Sequence, residues 1–214
     1  INTEITVNSP EKYLWAGMGD TYAKYFEAVM SSKGEVLPHY FAMGVNNSKM
    51  CYEPIMEYGK EAMESNRNNQ LSKAYEQVVL AIIVSTALAS IYLTAVDTLT
   101  AEHTVHYNSG LAHAIFYSMT SYPHIEKKHL HGEVVSYGVL NLLLVDQNTE
   151  DFERVYNFNK SVGLPICLED LEFEKSQIDD LAKGAVVMKD IEHNPYVITG
   201  EMLSEAMRKL EALK

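Results

Sequence analysis

Three short segments of the chain carry residues able to hold a divalent metal ion. Asp20 follows Gly17 and Gly19, His113 lies among small residues, and His131 precedes a glycine and an apolar run. One carboxylate and two imidazoles suit a catalytic metal, because three protein ligands leave a position open for water or substrate. These donors fit Zn²⁺, Fe²⁺ or several neighbouring metals, so they leave the metal unidentified.

Each of these residues also has an ordinary structural interpretation. Asp20 lies at the predicted start of a helix, where a carboxylate commonly caps free backbone N–H groups. An isolated histidine is more often a hydrogen-bonded core residue than a ligand. The interval between His113 and His131 leaves room for a helix, a turn and a return, which would bring both rings over Asp20. Spacing alone leaves other sets open, and His103 with His106 is one competitor.

Composition argues against several classes of partner. The chain has 214 residues, 47% of them apolar, and a formal net charge of −12. So acidic a surface repels phosphate backbones, and no basic cluster is longer than Lys127-Lys128, so nucleic acid is not expected as a partner. Cys51 and Cys167 lie far apart without metal-ligand spacing, which predicts reduced thiols in a cytoplasmic protein.

One segment raises the question of a membrane. Residues 78–96 contain no charged side chain and are long enough to span a bilayer. However, serines and threonines interrupt the segment, and acidic residues flank it. A central helix buried by other helices is therefore favoured, and no membrane partner is expected. Residues 1–20 also lack the basic start and continuous apolar stretch of a signal peptide.

Helical periodicity dominates the chain. Residues 1–8 read as a short segment leading into the first helix, and the alternation typical of strands is nearly absent outside residues 3–8. A helix is predicted to start at Ser9-Pro10-Glu11 and to break at Gly17 and Gly19, after which a new helix runs from Asp20 to about Ser31. Further helices are predicted near residues 40–64, 69–97, 108–121, 130–146, 148–162, 175–188 and 201–213, with a turn around Tyr122-Pro123. With no internal repeat or linker, residues 1–214 are predicted to form one all-α domain.

Three stretches together resemble a known enzyme family. They are WAGMGDTYAKYFEA (residues 15–28), GLAHAI (residues 110–115) and HGEVVSYG (residues 131–138). They are similar, in the same order, to the glycerol dehydrogenase branch of the iron-containing alcohol dehydrogenase family. The stretch GLPICLEDL (residues 163–171) resembles a late segment of that family. The resemblance covers the chain from about Asn8 to its end.

The resemblance implies a fold, a metal and a reaction. The fold is an all-α, helical bundle-like metal- and substrate-binding domain, similar to the C-terminal domain of dehydroquinate synthase-like proteins. Carried over residue by residue, the ligands of the zinc or iron ion fall on Asp20, His113 and His131. In the family, the metal polarises the hydroxyl or carbonyl of a small alcohol or ketone while hydride passes to or from NAD. Assembly into a homo-oligomer is also implied.

Two departures from the family pattern modify these expectations. The family's glycine-rich nucleotide-binding domain would precede residue 1, so this chain alone is expected to bind metal but not NAD, and to be inactive. Near His113, Phe116 stands where the family usually has a second histidine, and Tyr117 and Ser118 replace an asparagine and a glycine. Phe116, Tyr117 and His129 are predicted to line the substrate pocket, where a less hydrated alcohol, a ketone or a 2-oxo acid fits as well as glycerol.

Two alternatives come from other functional classes. A catalytically inactive helical scaffold or interaction domain is favoured by Phe116 and by the missing cofactor domain, whereas the three retained ligands argue against it. A metal-assisted hydrolase would need a general base beside the metal-bound water. The sequence has neither an adjacent His-Asp pair nor an HExxH motif to supply one. The dehydrogenase-like domain is therefore the favoured prediction.

Overall fold

Helices form the regular structure of the computed structural model, which describes residues 1–94 and 107–214. No strand occurs in these two ranges. The helices are α1 (Thr3–Thr6), α2 (Glu11–Ser31), α3 (His39–Arg67), α4 (Lys73–Leu93), α5 (Leu111–Thr120), α6 (Pro123–Lys128), α7 (His131–Val145), α8 (Thr149–Val162), α9 (Ile178–Ala185) and α10 (Gly200–Glu211). Short 3₁₀ turns lie at Leu168–Leu171, Lys175–Gln177 and Lys189–Ile191.

The all-α prediction is confirmed, and most helix bounds fall within a few residues of those predicted. Residues 3–8, the one place with a strand-like alternation, contain the short helix α1. The turn predicted around Tyr122-Pro123 is followed at once by helix α6, which the sequence did not predict. Pro123 is the first residue of α6, where its missing N–H costs no hydrogen bond within the helix.

Helix α2 differs from its prediction at its centre. A break at Gly17 and Gly19 and a new helix from Asp20 were expected, but α2 runs without interruption from Glu11 to Ser31. Asp20 therefore lies in mid-helix, where backbone N–H groups are already bonded within the helix and need no cap. The capping interpretation of Asp20 is wrong.

Helix α4 also differs from its prediction. Residues 78–96 were expected to be buried by other helices, yet only 28% of the most apolar window of α4 is buried. This part of the prediction is wrong. By length and composition, α4 is the one helix in the described ranges that passes the criteria for a candidate membrane span. It contains a π-helical turn at Ala81–Ser85, and residues 95 and 96 lie outside the described ranges.

The core is centred on α2 and α7. Nearly every residue of α7 is buried, as expected for a helix that is apolar around its whole circumference. Helix α2 packs against both α7 and α3, and the Tyr22 hydroxyl donates a buried 2.8 Å hydrogen bond to Asn159 on α8. Cys51 and Cys167 are buried free thiols, in agreement with the prediction. This packing holds the middle of α2 beside the first turn of α7.

Candidate metal centre

Three predicted site residues lie side by side where α2, α5 and α7 meet. Asp20 lies in the middle of α2, His113 in the first turn of α5, and His131 is the first residue of α7. The two histidine Nε2 atoms are 3.3 Å apart, and Asp20 Oδ1 lies 3.4 Å from one and 3.5 Å from the other. Within the described residues, no other group of three His, Cys, Asp or Glu side chains converges in this way.

Glycines at two helix crossings allow this convergence. Where α2 crosses α7, a Cβ on Gly132 would collide with the carbonyl of Ala16, and a Cβ on Gly19 would collide with the carbonyl of Gly132. Where α5 crosses α7, a Cβ on Gly138 would collide with the carbonyl of Ala112. These glycines therefore set how closely the helices approach, and with it the spacing of the three side chains.

The spacing of the three atoms matches that of ligands around a metal ion. Ligands roughly 2.0–2.1 Å from a tetrahedral ion lie about 3.3–3.4 Å from one another, close to the observed triangle. Asp20 Oδ1 is also buried without a hydrogen-bond partner, and such an oxygen is costly unless a cation compensates it. The side chain of His131 is 42% exposed, so solvent reaches the centre. The residues present therefore fit a divalent metal with one open position.

Glu27 holds the His113 ring in place. The Glu27 side chain is completely buried, and one carboxylate oxygen lies 2.7 Å from His113 Nδ1. The other accepts hydrogen bonds from the backbone N–H groups of Gly110 and His113, at 2.9 and 3.0 Å. Because a carboxylate only accepts, it favours the ring form with the proton on Nδ1. That form leaves a lone pair on Nε2, which is what a metal requires.

The charges of these groups shift one another's protonation. Burial opposes ionisation of Asp20, but its interactions with His113 and His131 outweigh burial and lower the pKa of the carboxyl well below its usual range. Burial likewise opposes protonation of His113, yet the charge of Glu27, the nearby Asp20 carboxylate and the hydrogen bond to Glu27 raise the pKa of His113 to about 9. Without a metal, His113 therefore carries a proton at neutral pH, and metal binding must displace it.

Two of the residues predicted for the pocket wall lie at the centre. The Phe116 ring packs edge-on against the His131 ring, with 4.3 Å between centroids. The Tyr117 ring in turn contacts Phe116 at 5.3 Å and is partly exposed. Burial and the charge of Asp190 raise the pKa of Tyr117. These contacts agree with a wall beside His131, and the substrate-lining role stays a prediction.

The third residue predicted for the wall has its contacts elsewhere. His129 Nδ1 lies 2.8 Å from Glu133, and His129 Nε2 is 3.9 Å from Glu172. Neither of these contacts involves the three candidate ligands. The competing pair, His103 and His106, lies outside the residues that the structure describes.

Sequence reasoning missed two residues of α2 that adjoin the centre, Lys24 and Glu27. Both belong to the stretch that resembles the family, but no role was predicted for either. Their spacing from Asp20, four and seven positions, is the signal that was available, because it places all three side chains on one helix face. Lys24 is only 9% exposed, and its Nζ donates a 2.8 Å hydrogen bond to the carbonyl of Asn108.

Comparison with known proteins identifies the family of this chain, although no family model matches it. A glycerol dehydrogenase of Thermotoga maritima is 32% identical over 97% of this chain and 56% of its own length. Hydroxycarboxylate dehydrogenase A of Escherichia coli is 29% identical over the whole chain and 58% of its own length. The solved structure of a probable glycerol dehydrogenase from Sinorhizobium meliloti superimposes on 99% of this chain, over 58% of the length of that dehydrogenase. The TM-score is 0.81 and the sequence identity is 22%, so this match supports the fold. The chain spans little more than half the length of these relatives. It belongs to the glycerol dehydrogenase-like branch of the iron-containing alcohol dehydrogenase family, and it has the fold of that family's all-α C-terminal domain.

Proposed function

We propose that Asp20, His113 and His131 bind a catalytic divalent metal, zinc or iron, in an NAD-dependent dehydrogenase acting on small alcohols or ketones. The triangle of ligand atoms with edges of 3.3–3.5 Å around a buried, unpartnered carboxylate oxygen carries this proposal. When bound, such a metal supplies a Lewis acid for the oxygen of a hydroxyl or carbonyl group. The relatives are a glycerol dehydrogenase and a hydroxycarboxylate dehydrogenase, and their names support a small hydroxylated substrate.

The chain's own residues have defined parts in this proposal. Glu27 holds the His113 ring with its Nε2 turned toward Asp20 and His131. Phe116 packs against the His131 ring and forms part of the wall of the centre on that side. NAD is the proposed hydride partner, and we assign no NAD-binding residue within this chain. The cytoplasm is the proposed location.

Metal stoichiometry tests the proposal. The chain is stripped with a chelator, reloaded with Zn²⁺ or, without oxygen, with Fe²⁺, and analysed for its elements. We expect about one metal ion per chain, because the three ligands form one site. The variants Asp20→Ala and His131→Ala are expected to lose it.

Two matched histidine variants are the controls. His39 is exposed at the start of α3, outside the centre, and His103 belongs to the competing pair. His39→Ala and His103→Ala should keep their metal. Unchanged metal content in both ligand variants would overturn the proposal and favour an inactive scaffold.

We also propose self-association through α4. Its exposed large apolar side chains recur at helical spacing and form one stripe, which we call the α4 stripe: Leu80, Ile83, Val84, Leu88 and Ile91. Contiguous exposed apolar surface of this kind marks association sites. Copies of a chain with a net charge of −12 repel one another over most of their surface, so an uncharged face is the place where a second copy can approach.

A further inference from the structure

Lys24 is a buried cation that forms no ion pair with any residue in the ranges 1–94 and 107–214. The residue is 9% exposed, and its Nζ donates one hydrogen bond within the described part of the chain, to the Asn108 carbonyl. Within the described residues, no carboxylate lies within ion-pair distance of this ammonium group. Lysine is almost never buried unless it is paired, because removing an ammonium ion from water is costly. The side chain therefore has unused donor capacity in a place where water is scarce.

The unused hydrogen-bond donors of Lys24 lie close to the candidate metal centre. Lys24 follows Asp20 by one helical turn on the same face of α2, and its hydrogen bond ties it to the segment that leads into α5. The side-chain oxygen of Asn108 is also buried and without a hydrogen-bond partner. The Lys24 ammonium group, one helical turn from Asp20, is thus a donor that the described residues do not fully satisfy.

The charge of the centre points to the kind of ligand that completes it. The centre contains two buried or half-buried carboxylates, Asp20 and Glu27, and these balance one divalent ion. Neutral histidines add no charge. Lys24 then leaves one positive charge uncompensated inside the protein, and a buried unpaired charge is unfavourable until an anion joins it.

We infer that Lys24 determines specificity for a carboxylate-bearing substrate, such as a 2-hydroxy or 2-oxo acid, by pairing with its carboxylate. This inference rests on the proposed metal site. A carboxylate adjacent to the reacting carbon would place one negative charge beside Lys24 while the hydroxyl or carbonyl oxygen faces Asp20 and the histidines. A neutral polyol offers no charge for this position.

Ligand binding to the cobalt-loaded chain tests the inference, because the visible spectrum of Co²⁺ reports both occupancy of the centre and a nearby ligand. The chain is titrated with 2-hydroxybutyrate and with 1,2-butanediol, which shares its carbon skeleton but is neutral. We expect the acid to bind at least about tenfold more tightly, as is typical of a buried charge-assisted contact. Lys24→Met should remove that preference by weakening the acid alone, and Lys24→Arg should restore part of it.

The control is Lys12→Met, an exposed lysine on the same helix, which should behave like the unmodified chain. If cobalt binds at one ion per chain but the unmodified chain binds acid and diol equally, or binds neither, the inference about Lys24 fails while the metal site stands. Retention of the acid preference in Lys24→Met overturns it as well. If cobalt does not bind at all, the proposed metal site fails, and this inference fails with it.

Discussion

His113 is held between two carboxylates of α2, and this arrangement determines how the metal-free chain responds to pH. The pKa of His113 rises from 6.5 to about 9 on folding, owing to Glu27 and Asp20 and against the effect of burial. The protonated ring therefore stabilises the fold fully below about pH 6.5, and this contribution is lost as the pH rises through about 9. Its size is of the order of 3 kcal/mol.

Urea unfolding of the chelator-treated chain checks this expectation. The midpoint should be higher at about pH 6 than above about pH 9, and His113→Gln should remove most of the difference. With zinc bound, the proton has been displaced, so the difference should also shrink. An equal pH dependence in His113→Gln would contradict the assignment.

Glu27 is expected to control metal affinity without touching the metal. Glu27→Gln removes the negative charge opposite His113 Nδ1, so zinc affinity should fall by about 10–100-fold, the usual effect of losing such a partner. The pKa of His113 should fall as well, which moves the pH dependence of zinc binding to lower pH. Calorimetric titration with Zn²⁺ at several pH values measures both changes. Glu172→Gln, which alters an exposed carboxylate, is the control, and unchanged zinc affinity in Glu27→Gln would refute the role.

At the scale of residues, the sequence predicted which side chains of the candidate metal centre lie together. The stretches that resemble the family contain Asp20, His113 and His131, and they indicated these three residues without any structural information. The same reasoning did not find Glu27 or Lys24. Charged residues on a helix usually face solvent, and composition does not distinguish a buried charge from an exposed one. Only the packing of α2 against the start of α5 shows that Lys24 and Glu27 are buried rather than exposed.

At the scale of elements, the crossing of α2 and α7 positions the candidate metal centre. Gly132→Ala would place a methyl group against the Ala16 carbonyl, and the helices would have to move apart. We expect a loss of about 1–3 kcal/mol in unfolding free energy, as for other overpacked sites, together with weaker zinc binding, because Asp20 and His131 would separate. Chemical unfolding and zinc titration measure the two effects.

The matched control is Gly200→Ala, at the first position of α10, where an added Cβ has ordinary contacts. This variant should be neutral or slightly stabilising, because alanine favours helix over glycine. Wild-type zinc affinity in Gly132→Ala would show that the crossing does not set the ligand spacing.

Gly17 and Gly19 also explain why the local sequence pattern did not predict that α2 is continuous. Glycine weakens a helix by roughly 1 kcal/mol relative to alanine, so two close glycines indicate a break. Here the missing side chains permit packing against Ile82 of α4 and Gly132 of α7. That tertiary contact outweighs the local preference, and a single sequence does not reveal it. Long apolar helices such as α7 were predictable because their whole circumference is apolar.

At the scale of the whole molecule, the apolar surface of α4 was assigned to the core because an uncharged run usually lies there. Hydropathy reports how apolar a segment is but not what covers it. The structure buries one side of α4 on α2 and α3 and leaves the α4 stripe exposed, with Ile91 at 59%. The stripe is therefore accessible to a partner, and a second copy is the partner that we propose.

Sedimentation velocity decides whether the α4 stripe joins two copies. The unmodified chain should sediment as a dimer or larger species, and Ile91→Glu should shift it toward the monomer, because burying an unpaired carboxylate in an apolar interface costs several kcal/mol. Val197→Glu, which changes an equally apolar exposed residue away from α4, should leave the mass unchanged. A monomeric unmodified chain would refute self-association. Sedimentation of that monomer with neutral lipid vesicles, abolished by Ile91→Glu, would instead assign the stripe to a membrane surface.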